Sequence, residues 1–389
     1  MGEKLAIRTQ AISPFYVMDV LRRAKQLEAM NRDIIHMEIG EPDFLTPQPI
    51  IDAGIKLLRT GEVKYTPAAG LPELRTKIAN FYRQRYGITV AKERIFITPG
   101  ASGAFLLALG ASLNPGESLL MTDPCYPCNR NFVNLFDGKT HAIPVDASSH
   151  YQLTPELISA HWTPKTKGVL IASPSNPTGT LIAPDKLKSA IQTVNALGGC
   201  FYSDEIYHGL VYDQNAAVTA LAFSEDVFVI NSFSKYFGMT GWRVGWLIVP
   251  AAFVETTEKL AQNLFIAAST HSQYAALAAF DDENIAELER RRNEFSVRRD
   301  VLYEQLIGLG FKIPIKPEGA FYIYANCARF TDDSFKFALD FLEAEGVAIT
   351  PGKDFGCHEA HHSLRFAYTT SIDRITQAMQ RLERFINKG

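Results

Sequence analysis

The sequence predicts an α/β chain: a large domain with a mostly parallel wound sheet flanked by helices, plus a smaller α+β domain built from both chain ends. Three observations predict it. Short apolar runs alternate with amphipathic helical patterns over the first two thirds of the chain. Strands separated by helices need crossover connections, and crossovers make parallel neighbours. The runs are continuous, as in Gly168-Val-Leu-Ile-Ala-Ser173 and Val227-Phe-Val-Ile-Asn-Ser232, which suits strands buried on both faces. After about Asp281 the texture changes to a long charged stretch and then mixed strands and helices. At 389 residues the chain exceeds what one simple core organises.

Taken in order, the first strand is expected at 34–39, where the run Ile-Ile-His-Met-Glu-Ile precedes Gly40. A helix over 72–86 opens on Pro72, whose ring suits a first helical turn. Strand 94–97 leads through a small-residue turn into helix 103–112, and strand 118–121 follows. Strand 169–172 precedes helix 184–197, which again opens on proline. Strands 200–203, 227–230 and 244–249 come next, then helix 251–267. Beyond 281 a long helix is closed by Gly310, followed by strand 320–325, helix 333–345, strand 363–367 and helix 373–386. The expected division is 1–48, joining the smaller domain; 49–280, the large domain; and 281–389, the C-terminal small domain.

Composition narrows the function. The chain is 47% hydrophobic and 21% charged with a formal net charge of -3, a globular composition with no basic footprint for nucleic acid. The stretch Met1–Phe15 lacks the apolar core of a secretory signal, and Ala6 stands where myristoylation wants Ser or Thr. Apolar runs such as 104–109 fall far short of a bilayer span, so a cytoplasmic, non-membrane protein is expected. Five cysteines do not form a disulfide framework. Cys125 and Cys128 form a CxxC with no second pair, and Cys357, His358, His361 and His362 fall on an expected exposed loop, 354–362. No metal is expected at either. The Glu-Arg-Arg-Arg run around Arg290 reads as a solvated helix face.

The informative segment is Asn231-Ser-Phe-Ser-Lys-Tyr-Phe-Gly-Met-Thr-Gly-Trp-Arg-Val-Gly245. A lysine directly after a buried strand suffers desolvation, which lowers its pKa toward a nucleophilic amine. Ser232 and Arg243 flank it and offer a hydroxyl and a planar guanidinium to one phosphate. The string S-x-x-K-x-x-x-M-x-G-x-R-x-G resembles the cofactor-lysine signature of class I/II aminotransferases, in the fold type I pyridoxal-phosphate superfamily. Further markers follow in the family's order from Gly40 to Arg365.

The resemblance implies that Lys235 holds pyridoxal 5′-phosphate as an imine, then acts as the base at the substrate Cα. Asn176, in Ser-Pro-Ser-Asn-Pro-Thr-Gly179, and Tyr207, in Ser-Asp-Glu-Ile-Tyr207, hydrogen-bond the cofactor's phenolic oxygen, and Asn176 also borders the substrate. Asp204 pairs with the pyridine nitrogen, keeping it protonated so that the ring absorbs electrons from Cα. Gly100, Ala101 and Ser102 bring backbone N–H groups to the phosphate at a helix start. Tyr126, in Asp-Pro-Cys-Tyr-Pro127, stacks on the ring. Arg365 grips the substrate carboxylate, with Gly40 approaching closely because it lacks a Cβ. Tyr65 reaches the phosphate of a neighbouring subunit, which implies a homodimer. The implied activity is a ping-pong transfer of an amino group from an L-amino acid to a 2-oxo acid, such as 2-oxoglutarate or pyruvate, within amino-acid metabolism. Aromatics at Phe15, Tyr16 and Tyr126 favour neutral or apolar substrates.

Rival readings remain open within the same fold: a carbon–sulfur β-lyase or a cyclopropane-forming synthase would use nearly the same residues. A non-catalytic aminotransferase-like sensor would want an N-terminal DNA-binding region, for which some thirty residues before the first strand leave little room. A dinucleotide-dependent dehydrogenase would want G-x-G-x-x-G after that strand, where Gly40-Glu-Pro-Asp43 stands instead.

Overall fold

The computed structural model describes residues 6–12, 14–212 and 217–388. Residues 1–5 and 13, part of the segment read above for a signal, lie outside them. In chain order the first elements are α1 (Tyr16–Ala29), β1 (Ile35–His36), α2 (Gln48–Thr60), α3 (Pro72–Tyr86), β2 (Ile95–Thr98), α4 (Gly100–Ser112), β3 (Ser118–Asp123) and α5 (Pro127–Leu135). There follow β4 (Lys139–Pro144), α6 (Pro155–His161), β5 (Thr166–Ala172), α7 (Pro184–Ala196), β6 (Cys200–Asp204), β7 (Val227–Ser232) and β8 (Gly245–Ile248). The remainder are α8 (Val254–Leu264), α9 (Thr270–Leu277), α10 (Asp282–Leu309), β9 (Tyr322–Asn326), α11 (Ser334–Glu345), β10 (Val347–Ala348), β11 (Thr350–Pro351), β12 (Ser363–Ala367) and α12 (Ile372–Ile386).

The central sheet has seven strands in the order β2-β8-β7-β6-β5-β3-β4. The pairs from β7 through β6, β5 and β3 to β4 are all parallel, while β8 runs antiparallel to both β7 and β2. The mostly parallel wound sheet is therefore as expected, and β8 is the exception. Its connection from β7 is the segment 233–244, which holds a single 3-10 turn (Thr240–Trp242) and no α-helix. That segment carries the lysine.

The sheet's continuous apolar strands are buried on both sides. On one side α4 is buried on most of its surface, with Phe105, Leu107, Ala108 and Leu109 packed among Leu119, Met121, Phe228 and Leu247. A helix so apolar all round belongs in a core. On the other, Ile97, Leu120, Ile171, Phe201 and Val229 belong to a larger cluster that continues through Phe295, Leu302 and Leu306 of α10 into Ile323, Leu364 and Phe366 of the second sheet. That sheet has the order β11-β12-β9 and is antiparallel.

The N-terminal segment packs against this C-terminal part: β1 pairs in parallel with β10, and Val20, Ala24, Leu27 and Ile34 cluster with Leu342 and Ala348. The expected six-residue strand at 34–39 shrinks to two residues because its strand partner among the described residues, β10, is two residues long. Strand β4 escapes a reading by apolar runs, since it is an edge strand of mixed polarity (Lys-Thr-His-Ala-Ile-Pro) that is half-buried. The stop at Gly310 is as expected, with φ +98° closing α10.

Two surface readings need correction. The 354–362 loop is not uniformly exposed: Asp354, Phe355 and Ala360 are buried. Asp354 accepts the backbone N–H groups of Tyr16 and Val17 at 2.7 Å each, tying down the first turn of α1. Around Arg290 only that arginine is solvated. Arg291 donates to the Leu45 carbonyl and Arg292 to that of Val211, both as part-buried staples between segments.

Candidate active site

Strand ends decide where the chemistry collects. In a parallel sheet the carboxyl ends of the strands open a crevice where the crossovers leave. Asp204 closes β6, Tyr207 lies just past it, Asn176 follows β5, and Lys235 follows β7. Tyr126 caps the start of α5 after β3, and Ala101 and Ser102 sit in the first turn of α4 after β2. The second sheet brings Arg365 on β12 and Tyr322 on β9, and the chain after β1 adds Glu38 and Gly40. These side chains enclose a cavity of about 240 Å³, walled further by Phe15, Val17, Met18, Phe105 and Phe132.

Lys235 Nζ donates to the Gly40 carbonyl at 2.6 Å. Burial drives its pKa down to about 8; Arg365 and Arg243 push the same way, while Glu41 and Asp204 partly oppose them. Burial likewise raises Asp204 to about 7, against the Ile206 N–H that it accepts at 3.2 Å and the attraction of Lys235. An acid and an amine with displaced pKa values in one cavity are a common mark of a reacting centre.

Arg365 is buried and almost fully engaged. It donates to Asn176 Oδ1 at 3.0 Å, to Thr350 Oγ1 at 3.2 Å and to the Glu38 carbonyl, and its Nε has no protein partner. Its guanidinium lies over the rings of Tyr322 (4.2 Å) and Phe355 (4.9 Å). Tyr207 and Tyr322 share a hydroxyl–hydroxyl bond of 2.9 Å.

Arg243, at φ +54°, donates to the Thr240 carbonyl at 3.1 Å and reaches the start of α4. A Cβ on Gly100 would lie 2.6 Å from its Nη2, so the glycine is what lets a guanidinium rest on a helix N-terminus. The first N–H groups of a helix have no intrahelical partner, so guanidinium and amides converge where an anion would sit.

Eleven of the expected residues line the cavity or border it through such a contact: Gly40, Gly100, Ala101, Ser102, Tyr126, Asn176, Asp204, Tyr207, Lys235, Arg243 and Arg365. Two are not brought to it. Ser232 is 1% exposed behind the wall, its hydroxyl bonded to Ser234 Oγ (2.9 Å) and the Val244 carbonyl (3.2 Å), and Ser234 lines the cavity instead. Tyr65 lies outside the cavity and is 82% exposed.

The sequence reading missed Ser234, Thr240, Glu38 and Tyr322. Ser234 was within reach as the lysine's neighbour. Tyr322 was not, because strand alternation separates its face from that of Ile323 without saying which faces the cavity. Burial raises the thiol of Cys125 to about 11, which leaves it unreactive. Among the described residues no group of three or more His, Cys, Asp or Glu is placed to hold a metal.

Against this geometry, the family described as aminotransferase class I and II matches residues 32–382. The chain belongs to the class I and II aminotransferases. It is 37% identical to a valine–pyruvate aminotransferase of Mycobacterium tuberculosis over 98% of both chains. It is 38% identical to a (5-formylfuran-3-yl)methyl phosphate transaminase of Methanocaldococcus jannaschii, over 99% of this chain and all of that one. The crystal structure of an aminotransferase from Mycobacterium tuberculosis superposes with a TM-score of 0.96 at 36% identity, covering 100% of each chain. The protein is thus an aminotransferase, moving an amino group from an amino acid to a 2-oxo acid by the ping-pong course general to the class, and the family's members depend on pyridoxal phosphate. No described helix is long and apolar enough to cross a membrane.

Proposed function

We propose that this aminotransferase binds pyridoxal 5′-phosphate covalently at Lys235 and uses it on neutral L-amino acids. The observation that carries the reading is the convergence of a lysine depressed to about 8, a buried acid and a buried arginine in one 240 Å³ cavity. The residues present fit the group. The cradle that Gly100 leaves against Arg243, with the α4 amides and Ser102, suits a phosphate, and Ser232 acts from behind through Ser234. Tyr126 offers a ring for stacking, and Asn176 and Tyr207 supply hydrogen bonds for the phenolic oxygen. When bound, the cofactor supplies an electron sink for the pair left on Cα.

The chain's own residues do the rest. Asp204, charged against a pyridinium, keeps that nitrogen protonated. Arg365 holds the substrate carboxylate and so fixes which Cα bond stands ready to break. Lys235 Nζ, when free in the cavity, would be the base that takes the proton from Cα. Lys235, Arg243 and Arg365 are the only Lys or Arg side chains lining the cavity among the described residues, and each has a role above. No further cation is left for a distal carboxylate, and Phe15, Val17, Met18 and Phe132 supply apolar wall. Pyruvate, named in one relative, or 2-oxoglutarate would serve as acceptor.

The same reading includes a cytoplasmic homodimer in which Tyr65, exposed on the single chain, meets the phosphate held by the other subunit. It also includes a division into 1–48, 49–280 and 281–389, supported by the β1–β10 pairing. Borohydride reduction of the purified holoprotein should leave a stable tag on Lys235, found by peptide mass mapping, and Lys235→Ala should lose both the tag and turnover. A tag elsewhere, or none, refutes the proposal. A panel of single amino acids, read by loss of cofactor colour, separates transamination from β-elimination and tests the preference for uncharged side chains.

A further inference from the structure

Tyr322 is buried between two groups that the proposed reaction needs. Its hydroxyl is 2.9 Å from that of Tyr207, and its ring lies 4.2 Å beneath the Arg365 guanidinium carbon. The two tyrosine rings meet edge to face at 5.9 Å. Close to the hydroxyl stands Gly40, where any Cβ would overlap it. Three segments of separate origin (the turn after β6, β12 and the chain after β1) therefore close on the phenol that β9 carries.

We infer that Tyr322 is a positioning residue that orients the Tyr207 hydroxyl toward the cofactor and the Arg365 guanidinium toward the substrate carboxylate. The inference rests on the assignment of pyridoxal phosphate to Lys235. A hydroxyl has one proton to donate. If Tyr207 gives its proton to the cofactor's phenolic oxygen, the proton in the Tyr207–Tyr322 bond comes from Tyr322. Donation into Tyr207 polarises its O–H and makes it a better donor in turn. That favours the ionised phenolic oxygen and lowers the pH at which the bound chromophore changes colour. The ring acts separately: a guanidinium within about 6 Å of an aromatic centroid is attracted to its face. Because Phe355 also lies under Arg365, at 4.9 Å, the ring contribution is shared. Tyr322, Tyr126 and Arg365 are the titratable groups that act on Tyr207, and Lys235 and Asp204 line the same cavity.

Hydroxyl and ring separate in two variants of the holoenzyme. In Tyr322→Phe the midpoint of the chromophore's pH titration should rise by a few tenths of a unit, while KM for the amino acid stays within about twofold because the ring remains. In Tyr322→Leu the same rise should come with a severalfold higher KM. Gly40→Ala, which displaces the phenol without removing it, should reproduce the spectral rise. Borohydride tagging of Lys235 in the wild type and each variant keeps the outcomes apart: no tag in the wild type sinks the cofactor assignment and this inference with it. A tagged Tyr322→Phe enzyme whose titration matches the wild type overturns the inference alone. So does a folded, tagged Tyr322→Leu enzyme with the KM of Tyr322→Phe.

Discussion

Protonating Lys235 should disable its reaction with an aldehyde near pH 8, far below where an ordinary lysine loses reactivity. Its amine falls from the usual 10.5 to about 8. A shift of about 2.5 units multiplies the neutral fraction at pH 7 by roughly 300 and corresponds to about 3 kcal/mol between the two protonation states. The cause is first the burial of the side chain, then the opposed charges of Glu41, which holds the proton on, and of Arg365 and Arg243, which drive it off. The assay is stopped-flow mixing of cofactor-free protein with pyridoxal phosphate from pH 6 to 10, followed by absorbance, with borohydride trapping to assign the product to position 235. The expected rate rises with pH and levels off with a midpoint near 8. Replacing Arg365 by Gln removes a repelling charge and should raise that midpoint. A midpoint above about 10, or a rate indifferent to pH, would refute the argument that the cavity activates this amine.

The other expectations concern charge pairing and the cavity wall. Asp204→Asn removes a buried partner for a pyridinium; losing about 3–5 kcal/mol of such pairing should cut turnover by roughly 10²–10⁴-fold, with circular dichroism unchanged. Arg365→Lys keeps the charge but loses the fork that spans Asn176, Thr350 and the Glu38 carbonyl. At about 1.5–3 kcal/mol per charged hydrogen bond, kcat/KM should fall roughly 10–150-fold while the cofactor spectrum persists. Asp354→Ala frees the N–H groups of Tyr16 and Val17 and should cost about 1–2 kcal/mol in urea unfolding. It should also raise KM, because Val17 and Met18 wall the cavity.

Runs such as Val227–Asn231 announced buried parallel strands without help, because a strand covered on both faces has no room for alternation. The stop at Gly310 was legible for a similarly local reason, as it takes the left-handed conformation that ends a helix. Lys235 stood out by its place after an apolar strand, where ligands bind in a wound sheet, whereas Asp204, Asn176 and Arg365 were read through their resemblance to the family's motifs. Local pattern did not reveal β4, whose half-exposed position on the sheet edge asks for no apolar run.

Nor did it reveal which of two neighbouring serines faces the cavity, or that an acid 338 residues away in sequence holds the first turn of α1. Tyr322 is the clearest case: its tie to Tyr207 joins residues 115 positions apart. Backbone preference and burial pattern act over a few residues and are written locally. The direction of a hydroxyl, the pKa of an amine and the fit of a glycine against a phenol depend on what distant segments bring within a few ångströms, and only the packed chain determines that.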